Sequence, residues 1–232
     1  MTLLFEPQAP VLAATTTGEH FPVRRVFCVG RNYAAHAREM GRDPDREPPF
    51  FFTAWAETVV PDGTTIAYPP KTENFHYEAE LVVAIGKPGR DIPVERAMDH
   101  VWGYAAGLDM TRRDLQLEAR AQGRPWDTGK NVEQSSPLGL IHKAGEGGFN
   151  PAKGAIRLTV NGEVKQDADL SELIWPVEDI VSYLSGLYRL EPGDLIYTGT
   201  PAGVGPVGVG DEMVVTIDGL TPLKIRVGPK AA

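Results

Sequence analysis

Twenty-five glycines and twenty prolines are spread over 232 residues, and they constrain the fold more than any other feature of the sequence. Proline removes a backbone donor and glycine weakens regular structure, so few uninterrupted runs remain for long helices. Short strands joined by tight turns are the expected result. Strands are predicted near 26–29, 49–53, 64–68 and 77–86, and 101–108 is an apolar run of mostly small residues. Strands at 156–160 and 163–166 flank Asn161-Gly162, the strongest short hairpin signal. Two turn-then-strand units follow, Pro192-Gly193-Asp194 before 195–197 and Val209-Gly210-Asp211 before 213–217. Helices are predicted at 32–41, 93–98, 112–122 and 177–189. The last carries Ile180, Val181, Leu184, Leu187 and Tyr188 on one stripe, with Pro176 in its first turn. The pattern predicts a mainly β (α+β) fold: an extended N-terminal extension over 1–24, then one domain over 25–232.

Composition narrows the function. Hydrophobic residues are 42% and charged residues 23%, as in an ordinary globular protein. A formal charge of −8, with no Lys/Arg-rich run, argues against a nucleic-acid partner. Cys28 is the single cysteine, which excludes an internal disulfide and fits a reducing cytosol. No signal-peptide pattern and no apolar stretch of bilayer-spanning length is present, so the expectation is a soluble, cytoplasmic protein without membrane partners.

Glu78 and Glu80 stand out in an otherwise apolar run, Tyr77-Glu78-Ala79-Glu80-Leu81-Val82-Val83-Ala84-Ile85. Residues two apart on a strand share a face, so both carboxylates point the same way. Two buried, like charges are costly, and a hard divalent cation such as Mg²⁺, Mn²⁺ or Ca²⁺ would remove the cost. A half-exposed edge strand with a solvated acidic face would remove it too, and the pair alone leaves both readings open. Asp109 is either a helix cap or a third carboxylate for the same centre. Thr111-Arg112-Arg113-Asp114 is itself a capping-box pattern, which frees Asp109 from that duty.

His36 and Glu39 lie three apart on a predicted helix. They make either a general base oriented by a carboxylate or a surface ion pair. Helix 32–41 and the polar, proline-rich stretch after it read equally as a mobile lid or an ordinary surface loop. Arg31, Arg112, Arg113 and Lys130 are candidate anion holders. Gly203-Val-Gly205-Pro-Val-Gly208 matches a dinucleotide fingerprint in spacing, but a strand pattern follows it where that motif needs a helix. No serine elbow, phosphate loop or zinc-ligand spacing is present, and Cys28 reads as a buried, inert thiol.

In order along the chain, Cys28-Val29-Gly30-Arg31-Asn32-Tyr33-Ala34-Ala35-His36, Tyr77-Glu78-Ala79-Glu80-Leu81, Gly107-Leu108-Asp109-Met110-Thr111-Arg112-Arg113-Asp114, Gly129-Lys130 and Tyr197-Thr198-Gly199-Thr200-Pro201 resemble the fumarylacetoacetate hydrolase superfamily. The likeness is to its short bacterial fumarylpyruvate and acylpyruvate hydrolases. It implies a β-sandwich roll with peripheral helices, usually a homodimer, with 25–232 as the catalytic domain. It implies Mg²⁺ or Mn²⁺ (Ca²⁺ being possible) on Glu78, Glu80 and Asp109, and a His36–Glu39 dyad on a lid helix that orders over substrate. It further implies Lys130 beside the metal, and Arg31, Gln116 and Thr200 on a small diketo-acid substrate cleaved at a carbon–carbon bond. The same metal-enolate chemistry would also serve an oxaloacetate decarboxylase or an unsaturated-dicarboxylate isomerase. Two departures stand out: Ala54-Trp55 where many relatives carry Lys-Pro, and Tyr77 where many carry histidine. The missing lysine motivates a third reading, a catalytically silent ligand-binding dimer, and suggests that Trp55 reshapes the acyl pocket.

Overall fold

A computed structural model describes residues 3–39 and 47–231. The chain opens with hairpin β1 (Leu12–Ala14) and β2 (His20–Pro22), then β3 (Arg25–Gly30), helix α1 (Ala34–Glu39) and β4 (Phe50–Ala54). Strands β5 (Val59–Pro61), β6 (Thr65–Tyr68), β7 (Phe75–Tyr77), β8 (Ala79–Ile85) and β9 (Val101–Leu108) follow. The two-residue β10 (Thr111–Arg112) leads into α2 (Arg113–Ala121) and α3 (Asp127–Lys130), then β11 (Ser136–Leu138) and β12 (His142–Lys143). Hairpin β13 (Ala155–Val160) and β14 (Glu163–Asp169) precedes α4 (Val177–Leu187). The last strands are β15 (Asp194–Tyr197), β16 (Gly205–Pro206), β17 (Glu212–Ile217) and β18 (Leu223–Lys230).

The fold is mostly β, as expected. A large sheet runs β4-β3-β15-β8-β9-β11-β5, with β12 added on β9, and a five-stranded sheet runs β14-β13-β17-β18-β6. One core fills the space where Leu81, Val83 and Ile85 meet Ile156, Leu158, Met213, Val215 and the inner face of α4. A second core lies on the other face of the large sheet, where Val82 and Ala84 pack with Val26, Cys28, Ala105, Leu195 and Tyr197. The N-terminal hairpin, read from sequence as merely extended, covers this second core with Ala13, Phe21 and Val23.

Several local expectations change. The strand expected over 77–86 breaks at Glu78, because β7 leaves the large sheet to pair with β10 and β16 while β8 stays between β15 and β9. The 93–98 helix is a 3₁₀ helix over Val94–His100. The Thr111 cap does not form. Thr111 is held in β10 opposite His76, its hydroxyl donates to the Asp109 carbonyl (3.1 Å), and α2 starts after Arg112 with no side-chain cap. Asn161 and Gly162 form the expected hairpin turn, both with positive φ (51° and 83°) as a type I′ turn requires. Of the expected 32–41 helix, residues 34–39 form α1; residues 40–46, which the expected lid includes, lie outside the described residues.

Candidate active site

Because β8 is central, every residue along it is buried, which overturns the edge-strand alternative for the acidic pair. Glu80 lies on β8 opposite Gly107 of β9, and Glu78 lies at the break between β7 and β8, its carbonyl accepting from the Asp109 amide (2.9 Å). Asp109 follows the last residue of β9. These three buried carboxylates bring one oxygen each to within 4.8 Å of one another.

Two cations share the charge unequally. Arg113 forms a buried ion pair with Glu78 Oε1, and Lys130 Nζ bridges Glu78 Oε2 (2.6 Å) and Asp109 Oδ2 (2.7 Å). Glu80 accepts the Gly199 amide (2.8 Å), and among the described residues no Lys or Arg forms an ion pair with it. The pKa values follow. Burial, with Asp109 and Glu78 as like charges, pushes Glu80 well above the usual carboxylate range. Burial lifts Asp109 to about 6 against the pull of Lys130. Burial would also raise Glu78, but Lys130 and Arg113 outweigh it and hold that group at about 2. A divalent cation fits this donor set: it is all oxygen, it is buried, and its negative charge is incompletely matched.

His36 is buried on α1, with Nδ1 3.1 Å from Glu39 Oε2. Glu39 is held in turn by the Gly203 amide, at 3.2 and 3.3 Å from its two oxygens. The weak surface-pair alternative therefore fails for the imidazole, though Glu39 itself stays exposed. His36, the three carboxylates, Lys130, Arg31, Gln116 and Thr200 all line one pocket, together with Arg113, Arg120, Phe52 and Trp126. Arg113 donates to Gln116 Oε1 (3.1 Å), which leaves the Gln116 amide N–H groups for the pocket. Gln166 donates to Thr200 Oγ1 (2.8 Å), which leaves the hydroxyl proton for an acceptor there.

One expectation is corrected. Ala54 is buried in the second core and Trp55 is exposed, and neither lines the pocket; the aromatic wall comes from Phe52 and Trp126. Tyr77 is buried in β7 and does not line the pocket either. Sequence reasoning missed Gln166, Trp126 and Arg120. It named Arg113 only as a general anion holder. The spacing 113, 116, 120 on a predicted helix was the available signal for Arg120, since it places three polar residues on one face.

The family model for the fumarylacetoacetate (FAA) hydrolase C-terminal region matches residues 25–228. A fumarylpyruvate hydrolase of Ralstonia sp is 51% identical over 192 residues, 82% of this chain and 99% of its own. The mitochondrial oxaloacetate tautomerase FAHD1 of Homo sapiens is 42% identical over 204 residues, 88% of this chain and 91% of its own. The crystal structure of fumarylpyruvate hydrolase from Pseudomonas aeruginosa, in complex with Mn²⁺ and pyruvate, superimposes with a TM-score of 0.95. It is 56% identical and covers 99% of this chain and 100% of its own.

Proposed function

This chain belongs to the fumarylacetoacetate hydrolase family, and we propose that it is a metal-dependent hydrolase that cleaves fumarylpyruvate, a 3-acylpyruvate, to fumarate and pyruvate. The observation that carries the proposal is the meeting in one pocket of three buried carboxylates with His36, whose Nδ1 lies against Glu39. Residues 25–232 are assigned as the catalytic domain and 1–24 as its N-terminal extension.

Glu78, Glu80 and Asp109 hold the cation, Mn²⁺ or Mg²⁺. When bound, the cation would supply Lewis acidity at the keto-acid end of the substrate. The other roles belong to side chains. His36 Nδ1–H donates to Glu39 Oε2, so Nε2 is left to accept a proton from water. The hydroxide attacks the distal acyl carbonyl; the bond from that carbon to the methylene breaks, and its electron pair becomes the pyruvate enolate. Lys130, cationic because Asp109 and Glu78 outweigh its burial, stabilises the enolate charge. His36 returns the proton to the methylene carbon. Arg31, Gln116 and Thr200 orient the substrate. A homodimer in the cytoplasm completes the proposal; the cleft beside the exposed Leu12 is a candidate surface for the second copy.

Product analysis by proton NMR tests the reaction. Fumarate and pyruvate in equal amounts from fumarylpyruvate are expected. Pyruvate and carbon dioxide from oxaloacetate, with fumarylpyruvate untouched, would replace hydrolysis by decarboxylation, and an isomerised diketo acid of unchanged mass would replace it by isomerisation.

A further inference from the structure

We infer that Arg120 and Trp126 decide which acyl groups this pocket accepts, selecting a flat, unsaturated acyl chain that ends in a carboxylate; the inference rests on the hydrolase reading of the same site. Burial grades across the pocket. The carboxylates Glu78, Glu80 and Asp109 are buried at its floor, while Arg31, Phe52, Arg120 and Trp126 are half-buried and form its mouth. Helix α2 joins the two ends. Arg113, Gln116 and Arg120 stand at i, i+3 and i+7, one helix face, and all three line the pocket. With a rise of 1.5 Å per residue, Arg113 and Arg120 are roughly 10 Å apart along the helix.

Arg113 closes on Glu78, so Arg120 marks a point about that far out from the floor. A seven-carbon diketo acid with a carboxylate at each end spans about 7–8 Å when extended, from the lengths of its carbon–carbon bonds. With its keto-acid end at the floor, its other carboxylate comes within reach of the Arg120 side chain. The wall between is aromatic and already braced. Trp126 packs edge-on against Phe50 (centroids 5.2 Å apart) and tilted against Phe52 (5.7 Å), and the Arg31 guanidinium stacks over Phe50 at 5.1 Å. A planar conjugated chain lies well against such a face, and a guanidinium matches a carboxylate with two parallel hydrogen bonds. A neutral acyl group would gain the apolar contact alone. The charge of the whole chain, −8, makes these local cations matter more, since a dianionic substrate is repelled by the rest of the surface.

The test compares kcat/KM for fumarylpyruvate and for acetylpyruvate, which lacks the distal carboxylate, in Mn²⁺-loaded wild type and Arg120→Gln. Loss of a charge-assisted contact is expected to lower the fumarylpyruvate-to-acetylpyruvate ratio roughly 10- to 100-fold, mostly through KM for the diacid. Arg120→Lys should recover part of it, and Trp126→Leu should lower the same ratio. An Arg120→Gln enzyme that loses both substrates in equal proportion overturns the inference, because Arg120 is then structural. One that loses neither overturns it as well. A wild type that hydrolyses acetylpyruvate and not fumarylpyruvate overturns the inference and leaves the hydrolase reading standing; a wild type that hydrolyses neither overturns both.

Discussion

Glu80 differs from Glu78 and Asp109 in what holds its charge: a backbone amide, where the other two have Lys130 or Arg113 against them. That asymmetry makes the metal-free site sensitive to pH. Asp109 has an unfolded value of 3.8 and a folded value of about 6, so folding favours its protonated form. Its contribution to stability is present below the unfolded value and is lost as pH rises through about 6. Glu80, also raised, acts in the same direction. Glu78, held at about 2, acts in the opposite direction, but that effect is complete once pH exceeds its ordinary 4.5. Mn²⁺, which competes with those protons for the carboxylates, should therefore raise Tm more at about pH 7.5 than at about pH 5.5. Scanning fluorimetry with EDTA and with Mn²⁺ measures the difference; an equal metal increment at the two pH values would contradict this. His36 carries a separate prediction. Because it lies off the triad, His36→Ala should cut kcat by roughly 10²–10⁴ while the Mn²⁺ Kd by calorimetry stays near wild type. Parallel loss of both would make His36 a ligand or a structural residue.

At the level of elements, what could be read locally was right and what depended on partners was not. The β13–β14 hairpin needed only Asn161 and Gly162, whose positive φ is a property of the turn itself. The interruption at Glu78 left no trace in the alternation of the chain, because β7 and β8 part company through their neighbours, β10 and β15. Thr111 reads as a cap until its backbone is claimed by pairing with His76. Helix α3 spans four residues, too short to be stable alone, and exists because it packs on α2. Gly129 makes that packing possible: a Cβ there would lie 2.6 Å from Gln116 Cβ and 2.8 Å from its backbone nitrogen. Gly129→Ala should therefore push α3, with Lys130, away from α2, costing about 1–3 kcal/mol of stability in urea titrations and lowering kcat. Wild-type stability and turnover in that variant would show that the two helices are not held in contact at this point.

Over the whole molecule, the site depends on a strand buried on both faces. Two cores, one on each side of the large sheet, bury β8 with its Glu80, and Glu78 just before the strand is buried as well. The residues of the proposed site were legible in the sequence: Glu78 with Glu80, Asp109, and His36 with Glu39 through their spacing and context, and Lys130 as a candidate cation whose place beside the metal the family resemblance implied. Their depth was only partly so: the unbroken Leu81–Ile85 run suits a buried strand, but the Glu78–Glu80 pair left an edge strand open. The acyl side of the pocket was the least legible part. Ala54 and Trp55, the obvious departures, fall elsewhere, while Trp126, just before α3, and Arg120, on α2, line the pocket. The central claim is that the triad holds the metal on which hydrolysis depends. The measurement that tests it most directly is the initial rate of loss of fumarylpyruvate's enol absorbance during Mn²⁺ titration, after EDTA treatment, for wild type and Glu80→Gln. Saturable recovery in wild type and none in Glu80→Gln is the predicted result; undiminished turnover in EDTA, or equal recovery in the variant, would contradict it.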